Sequence, residues 1–161
     1  MTRFRVTSEN EDWEAVLMLL HTAFAYMETR IDPPSSLRRW TAEHMAAVAS
    51  SGFAILGEEA DALTACAFAK RADDALYIGK IAVAESHRGR GLLRQIIGVA
   101  DAEVRLANLL KLRLETRIEL TENRAAFAAL GFVKIAETAH PGFDRPTSIT
   151  MERAVLPMDQ R

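Results

Sequence analysis

The sequence predicts an α+β domain, a central mixed sheet of about seven strands flanked by about four helices, with residues 1–161 forming one unit. Three observations carry that prediction. Apolar residues alternate between a period of two and a period near 3.6 along the chain, which separates strands from helices. Three extended stretches in the middle are divided only by short polar turns, so an antiparallel meander is the simplest topology. No repeat, linker or low-complexity segment splits the chain.

Residues 4–7 read as a short first strand. Ser8 or Asn10 can cap a helix over 11–27, because a short polar side chain can accept from the free amides of a first turn. Trp13, Val16, Leu17, Leu20, Phe24 and Met27 recur at helical spacing and make a stripe for the core. Pro33 and Pro34 forbid continuation of that helix. A second helix follows over 37–49 and stops at Ser50-Ser51-Gly52.

Strands over 53–57, 63–70 and 76–83 come next, with turns at 58–61 and 71–74. From Gly91 the period lengthens. Leu93, Ile96, Ile97, Ala100, Val104 and Ala107 fall on one helix face. Over 109–116, Leu112 and Leu114 alternate with Lys111, Arg113 and Glu115, as in a strand. A short helix over 122–130 ends at Gly131, whose freedom at positive φ suits a helix C-terminus. Strands over 132–138 and 148–154 complete the sheet, joined by the loop 140–146.

A formal charge of −2 leaves no bulk electrostatic drive toward nucleic acid or an anionic membrane. Any anion site must therefore be a local one. The single cysteine, Cys66, excludes a disulfide within the chain and a cysteine-based structural zinc site, so no metal is expected. The apolar run at 15–20 is shorter than the roughly 20 residues a membrane helix needs, and no secretory signal is visible. These features predict a cytoplasmic protein.

The most informative stretch is a strand, a turn dense in arginine and glycine, and a helix. Ala82-Val83 ends the strand, and Arg88-Gly89-Arg90-Gly91-Leu92-Leu93 leads into the helix. A helix N-terminus leaves amides without partners, and its dipole attracts anions. Gly89 and Gly91 let the backbone approach a ligand closely, while Arg88, Arg90 and Arg94 add positive charge. The combination predicts a cradle for a diphosphate.

That turn resembles the phosphate-binding motif of the GNAT acetyltransferases, Gln/Arg-x-x-Gly-x-Gly/Ala, although Leu93 stands where the family has Gly or Ala. Asn123 to Phe132, closing in Leu130-Gly131-Phe132, resembles the family's second signature, and the order of elements agrees over nearly the whole chain. The resemblance implies a mostly antiparallel sheet splayed between its fourth and fifth strands. It also implies acetyl-CoA as acyl donor, with the pantetheine arm lying in the splay.

Carried over residue by residue, it implies that Ile81, Ala82 and Val83 hold the pantetheine amides. Residues Arg88, Gly89, Arg90, Gly91, Leu92 and Leu93 hold the diphosphate, and Asn123 and Phe127 meet the donor from the other side. A backbone amide near Val83 is placed to polarise the thioester carbonyl. Phe127 departs from the tyrosine common at this position and cannot donate a proton. Tyr77 is then the better alternative acid of the two tyrosines, and Glu115, Glu119 and His140 are the candidate bases.

Arg30, Asp32, Ser35 and His140 lie in the loops that set specificity in the family, and their mixed charge suits a small polar or zwitterionic amine. The implied reaction is direct attack of a primary amine, on a small molecule or peptide, within a ternary complex. The rival readings are an acetyl-CoA sensor with little catalysis and an acetyltransferase of protein N-termini or lysines. A homodimer through the last strand is also implied.

Overall fold

The computed structural model describes residues 1–158. Strands β1 (Arg3–Thr7), β2 (Phe53–Glu59), β3 (Ala62–Ala72) and β4 (Ala75–Val83) make an antiparallel meander. The β2–β3 connection is the pair Ala60 and Asp61, both left-handed at φ 50° and 64°, which matches the twist of the flanking strands. Beyond β4 the order becomes β5 (Lys111–Arg117), β7 (Ser148–Ala154) and β6 (Val133–Thr138), giving one sheet ordered β1-β2-β3-β4-β5-β7-β6. Among the described residues only β4 and β5 run parallel. The last strand in sequence is therefore interior, paired on both sides, so it cannot extend a neighbouring sheet as expected; β1 and β6 are the edges.

Among the described residues four α-helices cover the sheet: α1 (Trp13–Phe24), α2 (Ala42–Ser50), α3 (Leu92–Leu106) and α4 (Thr121–Ala129). The cap of α1 is Asp12, which accepts from the Ala15 amide, and not Ser8 or Asn10. Asn10 is left-handed at φ 54° and belongs to the preceding turn. The second helix begins five residues later than predicted, at Ala42 rather than at 37. Ser35 caps a separate 3-10 turn (Ser36–Arg39), Trp40 is extended, and Thr41 then caps α2 afresh. Two successive cap residues thus cut one predicted helix into two pieces. Among the described residues no helix is long and apolar enough to cross a membrane.

The sheet separates two apolar layers. Ile96, Ile97, Ala100 and Val104 of α3 pack on Leu76, Ile78, Leu112 and Leu114. On the other face Val16, Leu20 and Met45 pack on Leu56, Cys66 and Phe68. Burying each large aliphatic side chain contributes about 1.5–3 kcal/mol, so these layers hold the sheet rigid. Along α3 the core-facing residue of the first turn is Leu92, while Leu93 is only partly buried.

Candidate active site

The parallel ladder between β4 and β5 has three rungs: Ala75–Lys111, Leu76–Leu112 and Tyr77–Arg113. Past the third, the strands part, leaving β4 from Ile78 and β5 from Leu114 without pairing to each other. A bulge on β4 sharpens the divergence. Its register against β3 slips between Gly79 and Ala82, and Lys80 takes a left-handed φ of 50°. The opening is a cleft of about 1120 Å³, whose walls include Ile81 and Val83 on one side and Leu114, Thr116, Asn123 and Phe127 on the other.

Of the residues expected to hold the acyl donor, Ile81, Ala82, Val83, Arg88, Leu93, Asn123 and Phe127 line this cleft. Gly89, Arg90 and Gly91 form the exposed turn between Arg88 and Leu93. The side chain of Leu92 is buried in the core, which leaves its amide as the only group it can offer. Gly89 and Gly91 have φ of 77° and 78°, and a Cβ at either would meet nothing within 4 Å. Glycine is needed there for the backbone conformation, and the space above the turn is open. Gly91 precedes the first turn of α3, so the amides of Leu92, Leu93 and Arg94 have no helical acceptor.

The arginines of the turn do different work. Arg88 donates to the Ala23 carbonyl (3.2 Å), and its guanidinium lies 5.6 Å from the Tyr26 ring centroid, tying the turn to the C-terminal end of α1. Arg90 sits 3.8 Å from the Glu59 carboxylate, which also binds His87.

The candidate acids and bases gather where the strands part. Tyr77 is at the last rung; burial, then the Glu115 charge, pushes its phenol up to about 12. Glu115 is exposed and lines the cleft. His140 lines it too, its amide donating to Thr147 Oγ1 (2.9 Å) and its Nδ1 bonded to the same hydroxyl. Burial and the nearby Arg117 charge hold its imidazole below the ordinary range. Arg117 donates to the carbonyls of Pro33 (2.6 Å) and Pro34 (3.1 Å), which fastens the loop after α1 across the cleft.

Two residues expected to meet the acceptor are engaged elsewhere. Arg30 and Asp32 do not line the cleft. Arg30 forms an ion pair with Glu122, and Asp32 pairs with Arg145 at 3.1 Å, so their charges bridge loops. Ser35 lines the cleft while capping the 3-10 turn, where it accepts from the Leu37 amide at 3.2 Å.

Sequence reasoning assigned no role to Lys80, Trp40 or Arg117, all of which line the cleft. The Lys80 ammonium donates to Ser36 Oγ (3.0 Å) and lies 5.0 Å from the Trp40 ring centroid. Burial, and then the Arg117 charge, lowers its pKa to about 8. A signal existed: Lys80 is the one charged residue in the apolar run Ile78-Gly79-Lys80-Ile81-Ala82-Val83.

Known structures share this fold. The ribosomal-protein-S18-alanine N-acetyltransferase of Escherichia coli superposes with a TM-score of 0.71 at 20% identity, over 96% of this chain and 94% of that one. An acetyltransferase of the GNAT family from Staphylococcus aureus gives 0.75 at 12% identity, over 96% and 100%. The IAA acetyltransferase of Bacillus cereus gives 0.68 at 16% identity, over 96% and 99%. No curated protein matches the sequence significantly. The model of the acetyltransferase (GNAT) family matches residues 13–132, well over half of the chain. With its single parallel pair, its splayed strands and its glycine turn at the head of α3, this chain belongs to the GNAT acetyltransferase family.

Proposed function

We propose that this acetyltransferase uses acetyl-CoA to acetylate a primary amine of a small molecule or peptide, by direct attack within a ternary complex. The observation that carries the proposal is the early end of the β4–β5 ladder at Tyr77 and Arg113. The facing strand edges suit an extended ligand bearing amides, and the open turn at Gly89 and Gly91 suits its diphosphate. When bound, acetyl-CoA supplies the activated acetyl thioester.

The backbone of Ile81 and Val83 would hold the arm, the amides of residues 89–94 would hold the phosphates, and Asn123 and Phe127 would close the other side. The Val83 amide would donate to the carbonyl oxygen as negative charge develops there. His140 would accept the proton of the acceptor amine. In the tautomer that carries its proton on Nδ1, His140 would donate to Thr147 Oγ1, whose own proton can go to the Thr138 carbonyl at 3.4 Å, and Nε2 would keep its lone pair.

Tyr77 is a poor acid at about 12, well above a thiol near 8.5, so the departing thiolate would leave without its help. Tyr26 also lines the cleft, with its hydroxyl 3.5 Å from Oδ1 of Asn123, a residue proposed to meet the donor.

Calorimetry with acetyl-CoA, followed by thiol release with polyamines, amino acids and peptides, tests the proposal. Binding with turnover on at least one amine is expected. Binding without turnover on any of them favours the second reading, a donor-binding sensor, for which Phe127 in place of a hydroxyl-bearing residue speaks. A homodimer, if formed edge to edge, would use β1 or β6.

A further inference from the structure

We infer that the acceptor amine also carries a carboxylate, as an amino acid does, and that Lys80 with Arg117 beside it receives that group; this rests on the acetyltransferase reading of the same cleft. Lys80 is partly buried on the bulge of β4, held by Ser36 and the face of Trp40. Trp40 is itself fixed by edge contact with Phe68 at 6.1 Å.

Three other partly buried cations on the sheet have carboxylate partners: Lys111 and Arg113 bind Glu152, and Arg153 binds Asp101. Among the described residues no carboxylate lies within ion-pair distance of Lys80 or Arg117. Arg117 gives the Pro33 and Pro34 carbonyls one donor from each terminal nitrogen and keeps the rest of its fork.

Glu119 and Asp32 act on Arg117 only from beyond ion-pair distance, Glu119 accepting from the Asp32 amide and Asp32 pairing with Arg145. Two cations thus share a partly dry cleft with no direct carboxylate partner, which is costly to the fold. Burial and mutual repulsion both act against the charge on Lys80. A ligand carboxylate would relieve both effects at once and accept charge-assisted hydrogen bonds. On the β5 side of the cleft, Glu115 and the imidazole of His140 offer an acceptor for an amine. The cleft therefore has a cationic wall for the carboxylate and a proton-accepting wall for the nitrogen, which is the charge pattern of an amino carboxylate.

The test uses the purified full chain, acetyl-CoA, and matched pairs of L-amino acids and their primary amides, with wild type, Lys80→Met and Lys80→Arg. For accepted pairs, wild-type kcat/KM for the acid should exceed that for the amide by roughly tenfold or more, the worth of one charge-assisted contact. The amide's amine is less basic and more often neutral, so reactivity alone pushes the other way. In Lys80→Met the preference should fall by roughly tenfold, chiefly through KM, and Lys80→Arg should restore part of it.

A second readout needs no turnover: N-acetyl amino acids should raise the wild-type Tm more than their amides do, and Lys80→Met should abolish the difference. Equal rates and equal protection for acids and amides would overturn the inference, as would acceptance of amino phosphates with no acid accepted. Either result, with acetyl-CoA still bound, leaves the acetyltransferase reading intact. Failure of the wild type to bind acetyl-CoA removes that reading itself.

Discussion

Tyr77 and Arg113 are the last residues at which β4 and β5 face each other as paired strands, and the cleft begins where their rung ends. The two strands share a rigid base, because Leu76 and Leu112 below that rung are fully buried against α3. Above it, the bulge at Lys80 turns β4 away. A sheet that would otherwise zip shut is thereby held open, with a helix N-terminus in the turn that follows β4.

Gly91 and Gly98 should respond in opposite ways to the same change. Gly91 sits at φ 78°, where a Cβ costs about 1–2 kcal/mol, so Gly91→Ala should lower stability and weaken acetyl-CoA binding by roughly tenfold. Gly98 is exposed within α3 and a Cβ there meets nothing, so Gly98→Ala should stabilise by about 0.5–1 kcal/mol. Urea unfolding and calorimetry on the two variants check this; equal stability effects would show that the turn is not held as described.

Lys80 should make stability depend on pH on the alkaline side. Its folded pKa of about 8 lies below the ordinary value of 10.5, so between these the unfolded chain binds more protons and stability rises with pH. Below about 8 the residue is charged in both states and its burial is a constant cost. Lys80→Met should therefore be more stable at neutral pH by about 1–3 kcal/mol and should lose the alkaline rise. Unfolding curves between neutral pH and pH 10.5 decide it; an unchanged slope in the variant would place the titration elsewhere.

His140 should set an ascending limb in the rate profile. The proton-accepting form exists above its folded pKa, which burial and Arg117 hold below the ordinary range. With a weakly basic aromatic amine, kcat/KM should rise to a plateau along a limb whose midpoint lies below about pH 6.5. His140→Gln should lower the plateau by roughly 10²–10³-fold and remove the limb. A limb that survives in the variant would exclude His140 as the base.

Arg153 should contribute more than a surface ion pair. It pairs with Asp101 on α3, donates to the Leu130 carbonyl (3.0 Å) after α4, and lies 5.3 Å from the Phe132 ring centroid. Arg153→Met should cost about 1–3 kcal/mol, since the carbonyl and carboxylate lose a charged donor in a half-dry setting. Adding Asp101→Ala should cost little further, because the two changes remove one shared contact. Thermal unfolding of the single and double variants measures both; additive losses would show that the groups act independently.

The turn and helix that line the proposed donor side were legible in the chain because their markers are local. Gly89 and Gly91 announce positive φ by residue type, the period changes at α3, and Leu130-Gly131-Phe132 marks the end of a short helix. The acceptor side was poorly legible for the opposite reason. Trp40 reads as one more helical residue until Ser35 and Thr41 are seen to cap separate turns. Arg117 reads as a strand-end charge until it reaches back to Pro33 and Pro34, more than 80 residues away in sequence. Arg30 and Asp32 had the right residue types for a ligand, but charges from distant loops meet them first.

By itself, the sequence determined most of the elements and the glycine turn ahead of α3, since periodicity, capping and backbone freedom are set by residues a few positions apart. The tertiary structure alone decided which strand lies inside the sheet, where β4 and β5 separate, and which charges remain unpaired in the cleft. Those outcomes depend on partners far apart in sequence, such as Lys80 with Ser36 or Asp32 with Arg145 (separations of 44 and 113), and no local pattern specifies them.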